Sequence, residues 1–362
     1  MGTVHESQRQ ILISGVPQAD YDTPTDTTDP TDYVQLQVTD KNMSKYEPMT
    51  SDNAEDAHGS EFATEEYLEG WDAEAQHNIA LSSEMIGRLL LLAFGSVVTT
   101  QPNSVTAPTV YQHVFTLQDP TVSRQLPTTS LIEIIGTALN RQLPSNVVDN
   151  LSLKGDGAKR VDTSFQLIGS GKVVEPSGLS VAQALAQRQS GLHYLYNSQA
   201  TAKISDAGTL ANLVNYGTAK RFRSWEFGIN NNHLKEEGYM PGADKFQSAA
   251  DRTSGAIRAE CLFGIRQLMA SQVSRLLSQS DEMAALRARK ALDWALVLKG
   301  GLIAATYYHQ LTIHCPKVRY ETVELSSGNG LVTQQIKMKP FDDGTGLNPV
   351  TATLVNTVQS YT

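Results

Sequence analysis

The sequence predicts a mainly β protein, an antiparallel sandwich or barrel with a short flanking helix and helical insertions. Three observations lead there. From residue 109 onward, segments of alternating apolar and polar character follow one another with turn residues between them. Helical stripes are few: one near residue 85, and one made by Ala285, Ala288, Leu292, Ala295 and Leu296. The composition, 40% hydrophobic and 19% charged over 362 residues, suits a folded chain with room for one large domain.

Residues 17–32 (PQADYDTPTDTTDPTD) are rich in Thr, Asp and Pro, so 1–32 reads as an N-terminal arm, mobile until assembly. The strand-like YVQLQV (33–38) opens a single domain expected to run to 358, with 359–362 as a C-terminal tail. An acidic loop is expected over 40–70, with a weak strand candidate at 70–79 (GWDAEAQHNI). A helix follows: Ser82 or Ser83 can cap it, Met85, Ile86, Leu89, Leu90 and Ala93 share a face, and Gly95 stops it.

The strands then come in series: 109–117, 130–139, 146–155 and 161–171, with GDG at 155–157 as a hairpin turn. Ser180 and Gln183 have the spacing of a capping box and open a helix through about residue 189, within an excursion over 179–216. The stretch 220–232 (KRFRSWEFGINNN) starts as a strand and ends in three asparagines. Arg221, Arg223, Trp225, Phe227 and Ile229 would share one face of that strand. Asparagine tolerates positive φ and bonds nearby backbone, so the run reads as a strand exit rather than a ligand site. Another strand is expected at 253–265. A second helical excursion is expected over 266–303, where helix formers dominate up to Gly300 and Gly301. Strands resume at 304–315, 317–325, 330–341 and 349–358.

Charge is uneven. Net charge is −9, yet the first hundred residues hold 18 acidic and 4 basic side chains, and 40–72 holds ten acidic to two basic. No basic stripe marks a nucleic-acid binder, and a dense acidic segment repels polyanions. No run approaches the roughly 20 apolar residues of a membrane span. The N-terminus lacks the pattern of a secretion signal, and its Met-Gly start lacks the context of a myristoylation site. Cys261 and Cys315 sit in apolar surroundings and read as buried free thiols.

Motifs of chemistry are not found. GSGK at 169–172 lacks the spacing of a phosphate loop, GTG at 344–346 is too short for a dinucleotide fingerprint, and DDGTG at 342–346 lacks the alternating oxygens of a calcium loop. His309 and His314, five apart in a strand, point to opposite faces, and His193 stands isolated. No catalytic, cofactor-binding or metal residue is assigned, and the chain is not expected to be an enzyme. Trp71, Trp225 and Trp294 are dispersed in core-like patterns, which weighs against the aromatic platform of a carbohydrate-binding module.

Several ordered pieces nevertheless resemble the tail tube proteins of long-tailed bacteriophages. They are SWEFGINNNHLKEEG (224–238), SGAIRAECLF (254–263), HQLTIHCPKVRYETVEL (309–325), and the closing pair GLVTQQIKMKPFDDG with PVTATLVNT (330–357). The resemblance covers much of 33–358 and rests on diffuse patterns of strands and turns. It implies a structural virion protein of the tail, made in the host cytoplasm. Such a protein self-assembles into rings, usually hexameric, that stack into a hollow tube around a β-barrel lumen. Implied partners are further copies of itself, the tape measure protein and the tail-end proteins. DNA passes through without specific binding, and an acidic lumen would keep it from sticking. A distal-tail or tube-terminating role is the nearest alternative. The two helical excursions depart from a minimal tube protein.

Overall fold

A computed structural model of the chain describes residues 8–21, 23–54, 62–205, 214–215, 222–239, 256–277, 281–328, 330–342, 344 and 348–362. Among these residues there are seventeen strands, all paired antiparallel, and three short α-helices. The expected mainly β class is what the chain adopts.

Much of the topology follows from one strand. β15 (Tyr307–Gly328) is 22 residues long and serves two arms. Its first half pairs with β17 (Thr351–Asn356), which continues through β6 (Tyr111–Leu117) to β5 (Gly95–Thr100). Its second half pairs with β16 (Leu331–Pro340), which continues through β13 (Gln267–Arg275), β12 (Phe222–Asn230), β8 (Leu139–Asp156), β9 (Asp162–Gly169) and β4 (Glu66–Ala80) to β3 (Lys45–Asp52). β14 (Leu292–Ala304) lines the opposite edge of β15 and carries β10 (Ala200–Ser205) and β11 (Val214–Asn215). A smaller sheet of β2 (Tyr33–Leu36), β1 (Arg9–Ser14), β7 (Thr129–Ile135) and the start of β8 completes the architecture.

Two strands were expected where β15 runs unbroken, because Pro316 reads as a stop. Pro316 instead falls between the β17 ladder, which ends at His314, and the β16 ladder, which starts at Val318. On the other edge the register with β14 shifts between Leu292 and Trp294, with the extra residue on β15 between Cys315 and Val318. The missing N–H therefore breaks no ladder bond.

The inward residues of both arms form one apolar core around α1 (Ile86–Phe94). Apart from Arg88, every residue of this helix is buried. Such a helix is stable only when enclosed, and each buried Leu contributes about 1.5–3 kcal/mol. Gly95 ends it at φ +98°, as expected. Neither Ser82 nor Ser83 caps it with a side chain: the N-cap is Met85, and only the Ser82 carbonyl accepts from the Ile86 N–H.

Other expectations are corrected by the coordinates. The excursion over 266–303 is not helical: it is β13 and β14 around a single short helix, α3 (Glu282–Arg287). Residues Leu292–Leu296 are buried without interruption, so their period cannot distinguish a core strand from a buried helix. Gly300–Gly301, read as a helix stop, lies where β14 shifts register between Lys299 and Leu302. The 179–216 excursion holds only α2 (Val181–Ala186), opened by the Ser180–Gln183 capping box, and then turns to strands. In 253–265, the described residues 256–265 make isolated bridges rather than a strand. The segment expected as an arm contributes β1, which pairs on both edges. The acidic loop expected at 40–70 is largely the β3–β4 hairpin.

The last residues are not a loose tail. Tyr361 is buried, its hydroxyl accepts from Asn356 Nδ2 at 2.7 Å, and its ring packs edge-on to His113 at 4.7 Å. Gly87 makes room for it: a Cβ there would lie 2.1 Å from the ring. Replacing Tyr361 with Ala should cost about 3–5 kcal/mol. Chemical denaturation would measure the loss, and a cost near zero would mean that the C-terminus does not seal the core.

Candidate functional site

The asparagine run shows how the strand exit is built. Asn230 Oδ1 accepts from the Asn232 N–H at 2.8 Å, and Asn232 takes φ +47°. Asn231 is fully buried and donates to the carbonyls of Ala93 and Val148. Asp149, the residue where β8 bulges against β9, accepts the Asn231 N–H on its carbonyl and the His233 N–H on its carboxylate. All three amides serve the backbone, so the run is a turn device. Upstream, Trp225, Phe227 and Ile229 do share the buried face, but Arg223 does not. A bulge between Phe222 and Ser224 turns Arg223 outward and brings Phe222 against the core; Arg221 lies outside the described residues.

Two tryptophans, Trp225 and Trp294, are buried. Trp71 is only half-buried, stacked on Tyr46 at 4.8 Å, which departs from the core position expected for it. GSGK at 169–172 is a strand-end turn, in which Gly171 takes φ +84° against the Trp71 carbonyl. Residues 343, 345 and 346 of the GTG and DDGTG motifs lie outside the described residues. Both cysteines are buried free thiols, and burial pushes Cys261 up to about 12.

Of the eight histidines, His5 and His58 lie outside the described residues. His77 pairs with Asp40, His233 with Asp149 and His314 with Asp293. His113 is held by its own fold: Nδ1 meets the Thr99 hydroxyl at 2.8 Å, and Nε2 donates to the Val358 carbonyl at 2.9 Å.

His193 and His309 are brought together with Glu84, the one such group of three potential metal ligands among the described residues, and the sequence did not reveal it. Their imidazole rings stack at 3.8 Å, and His193 Nδ1 donates to Glu84 Oε1 at 2.8 Å. Ser83, expected to cap α1, instead donates to Glu84 Oε1 and accepts from His309 Nδ1, each at 2.8 Å. The Ser83 N–H bonds the His193 carbonyl, so residues 81–83 and 193–195 run side by side. Gly300 admits this loop: a Cβ there would lie 2.8 Å from Leu195 and 3.2 Å from the His309 carbonyl. His309 and His314 do diverge, as expected, but His193 is not isolated. Burial, then the neighbouring His193, hold His309 below the usual imidazole range, with Glu84 opposing. One signal was present: His309 shares the inward parity of Leu311, Ile313 and Cys315, all buried, and an inward imidazole needs a partner.

A second surface comes from the sheet itself. On the inner face of β13, β16 and β15, Ala270, Met338 and Ile336 are fully buried. The next rank, Gln272, Ser274 and Gln334, is buried and polar; Trp294 Nε1 donates to Gln272, and Gln334 Nε2 donates to Ser274. On the same face Leu325, paired with Gln334, is 54% exposed, and one step beyond it Leu276 and Val332 are 37% and 40% exposed. The outer end of the β3–β4 hairpin is exposed on both faces, with Glu47, Glu66, Glu69, Tyr67 and Leu68 in solvent.

Burial is the main cause that depresses His113, and the bonds to Asn356 and Val358 oppose it. Its folded pKa lies below the ordinary 6.5, so the unfolded chain binds the extra proton. Stability should therefore fall as pH drops below about 6.5, and His113→Gln should flatten that limb. Thermal melts from pH 8 to 5 would check this; identical acid limbs in both proteins would refute it. Among known proteins, no family model matches this chain and no curated protein is similar to it.

Proposed function

We propose that the chain is a self-assembling structural subunit that forms stacked rings, as the resemblance to phage tail tube proteins implies. Rings of further copies would build the conduit for DNA, with the tape measure protein inside it and tail-end proteins at its termini. The observation that carries this reading is the inner sheet face that continues past its own core. Leu276, Leu325 and Val332 stand in solvent on the surface that, a few residues inward, is the centre of the sandwich. Contiguous exposed apolar surface of this kind marks protein–protein contact. A second copy seated there would extend the core across the subunit boundary. Head-to-tail contact of this sort closes into rings or stacks.

The projecting β3–β4 hairpin supports the same reading. Its outer end lies beyond the part of β4 that pairs with β9, and past Gly70, where Ala256 bridges it, β4 pairs with β3 alone among the described residues. Two strands alone are marginal in water. A neighbouring ring would give that hairpin a third partner, and its acidic side chains would repel DNA in the conduit. Edge strands β3 and β5 each have one partner strand among the described residues, and Pro48 in β3 guards one of them.

Sedimentation velocity over a concentration series tests the reading. Wild-type protein should shift to discrete multimers as concentration rises. The double variant L325D/V332D should keep its circular dichroism spectrum yet need roughly tenfold or more protein to associate, about 1.4 kcal/mol or more. A wild-type monomer at every concentration would count against the proposal, and so would unchanged association in the variant. A wild-type series that stops at one ring would favour a terminator over a tube subunit.

A further inference from the structure

Glu84, His193 and His309 come from three segments far apart in sequence, yet they present three donor atoms within 4.8 Å of one another. The two histidine Nδ1 atoms both lie close to Glu84 Oε1, at 2.8 Å for His193 and 3.7 Å for His309. Ligands of a tetrahedral zinc-sized ion, bound at about 2.0–2.1 Å, sit about 3.3 Å apart. The two distances bracket that value. Two imidazoles and one carboxylate suit zinc and its first-row neighbours and are a poor set for calcium or magnesium.

We propose that Glu84, His193 and His309 bind one divalent transition-metal ion, with a fourth position open to solvent on the His193 side. This inference does not rest on the assembly reading. The histidine rings lie 17° from parallel at 3.8 Å, and parallel rings cannot both aim in-plane lone pairs at one ion. One ring must therefore turn on binding. The side chains of His309 and Glu84 are 2% and 12% exposed, whereas that of His193 is 53% exposed. His193 also follows Gly191, which takes φ +69° with open space around it. His193 is the ligand that turns.

The proton balance is simple. His193 Nδ1 now donates to Glu84, and His309 Nδ1 donates to Ser83. On binding, each neutral imidazole carries its proton on Nε2 instead, and the Nδ1 lone pairs take the ion. The carboxylate stays ionised, leaving one positive charge on the complex. The ion would clamp the loop through residue 193 to β15 and to the start of α1. Its role is then to fix local structure, since metal that binds only the folded chain adds to stability.

The test uses the full chain without a histidine tag, stripped with a chelator. Zn²⁺ binding is measured by equilibrium dialysis, and Co²⁺ binding by its visible absorption. Wild-type protein should take one Zn²⁺ per chain, melt higher with Zn²⁺ present, and give an intense Co²⁺ band of tetrahedral type. His193→Ala lies on the surface and should fold normally while losing at least about tenfold in affinity, the lower end of what even supporting residues cost at such sites. Glu84→Gln should lose as much. A wild-type chain with no saturable site would overturn the proposal. So would His193→Ala protein that titrates like wild type.

Discussion

The structure depends on the need to enclose α1. IGRLLLLAF has no polar face apart from Arg88, so it cannot lie on a surface. It has to be covered all round, and the chain does so with three separate devices. β5 and β6 pack on it from one arm, and β8 packs on it from the other. Tyr361 closes the remaining side over Gly87, where no larger residue fits. Arg88 escapes by donating to the carbonyls of Gly15 and Glu84. The first strand, the last residues and the sandwich between them are thus tied to nine residues of helix.

Much of this was legible in the sequence. The alternation in β6, β9, β12, β16 and β17 shows through because each strand buries one face. The capping box at Ser180 and the turn at Gly157, which takes φ +58°, are local chemistry and need no tertiary context. β14 was illegible for the opposite reason. It is covered on both faces over Leu292–Leu296, so neither period stands out, and its Ala and Leu content favours helix. β13 hides differently, because its buried face includes Gln272 and Ser274, which accept from Trp294 and Gln334, partners no local pattern can announce.

The histidine cluster was beyond reach for a related reason. Spacing within a strand tells which face His309 takes, and that much was readable. It cannot tell that Ser83, 226 positions away, will meet it there. The glycine that admits the 193–195 loop, Gly300, was readable only as a helix stop. The two surfaces share β15: His309 sits near its start under the loop, and Leu325 stands near its far end in solvent. One continuous strand therefore links the proposed metal site to the proposed assembly face.

Electron microscopy of the purified chain over a range of concentrations tests the central reading most directly. The account predicts rings with a central hole, stacking end to end as concentration rises. Compact single particles at every concentration, with no rings and no stacks, would contradict it.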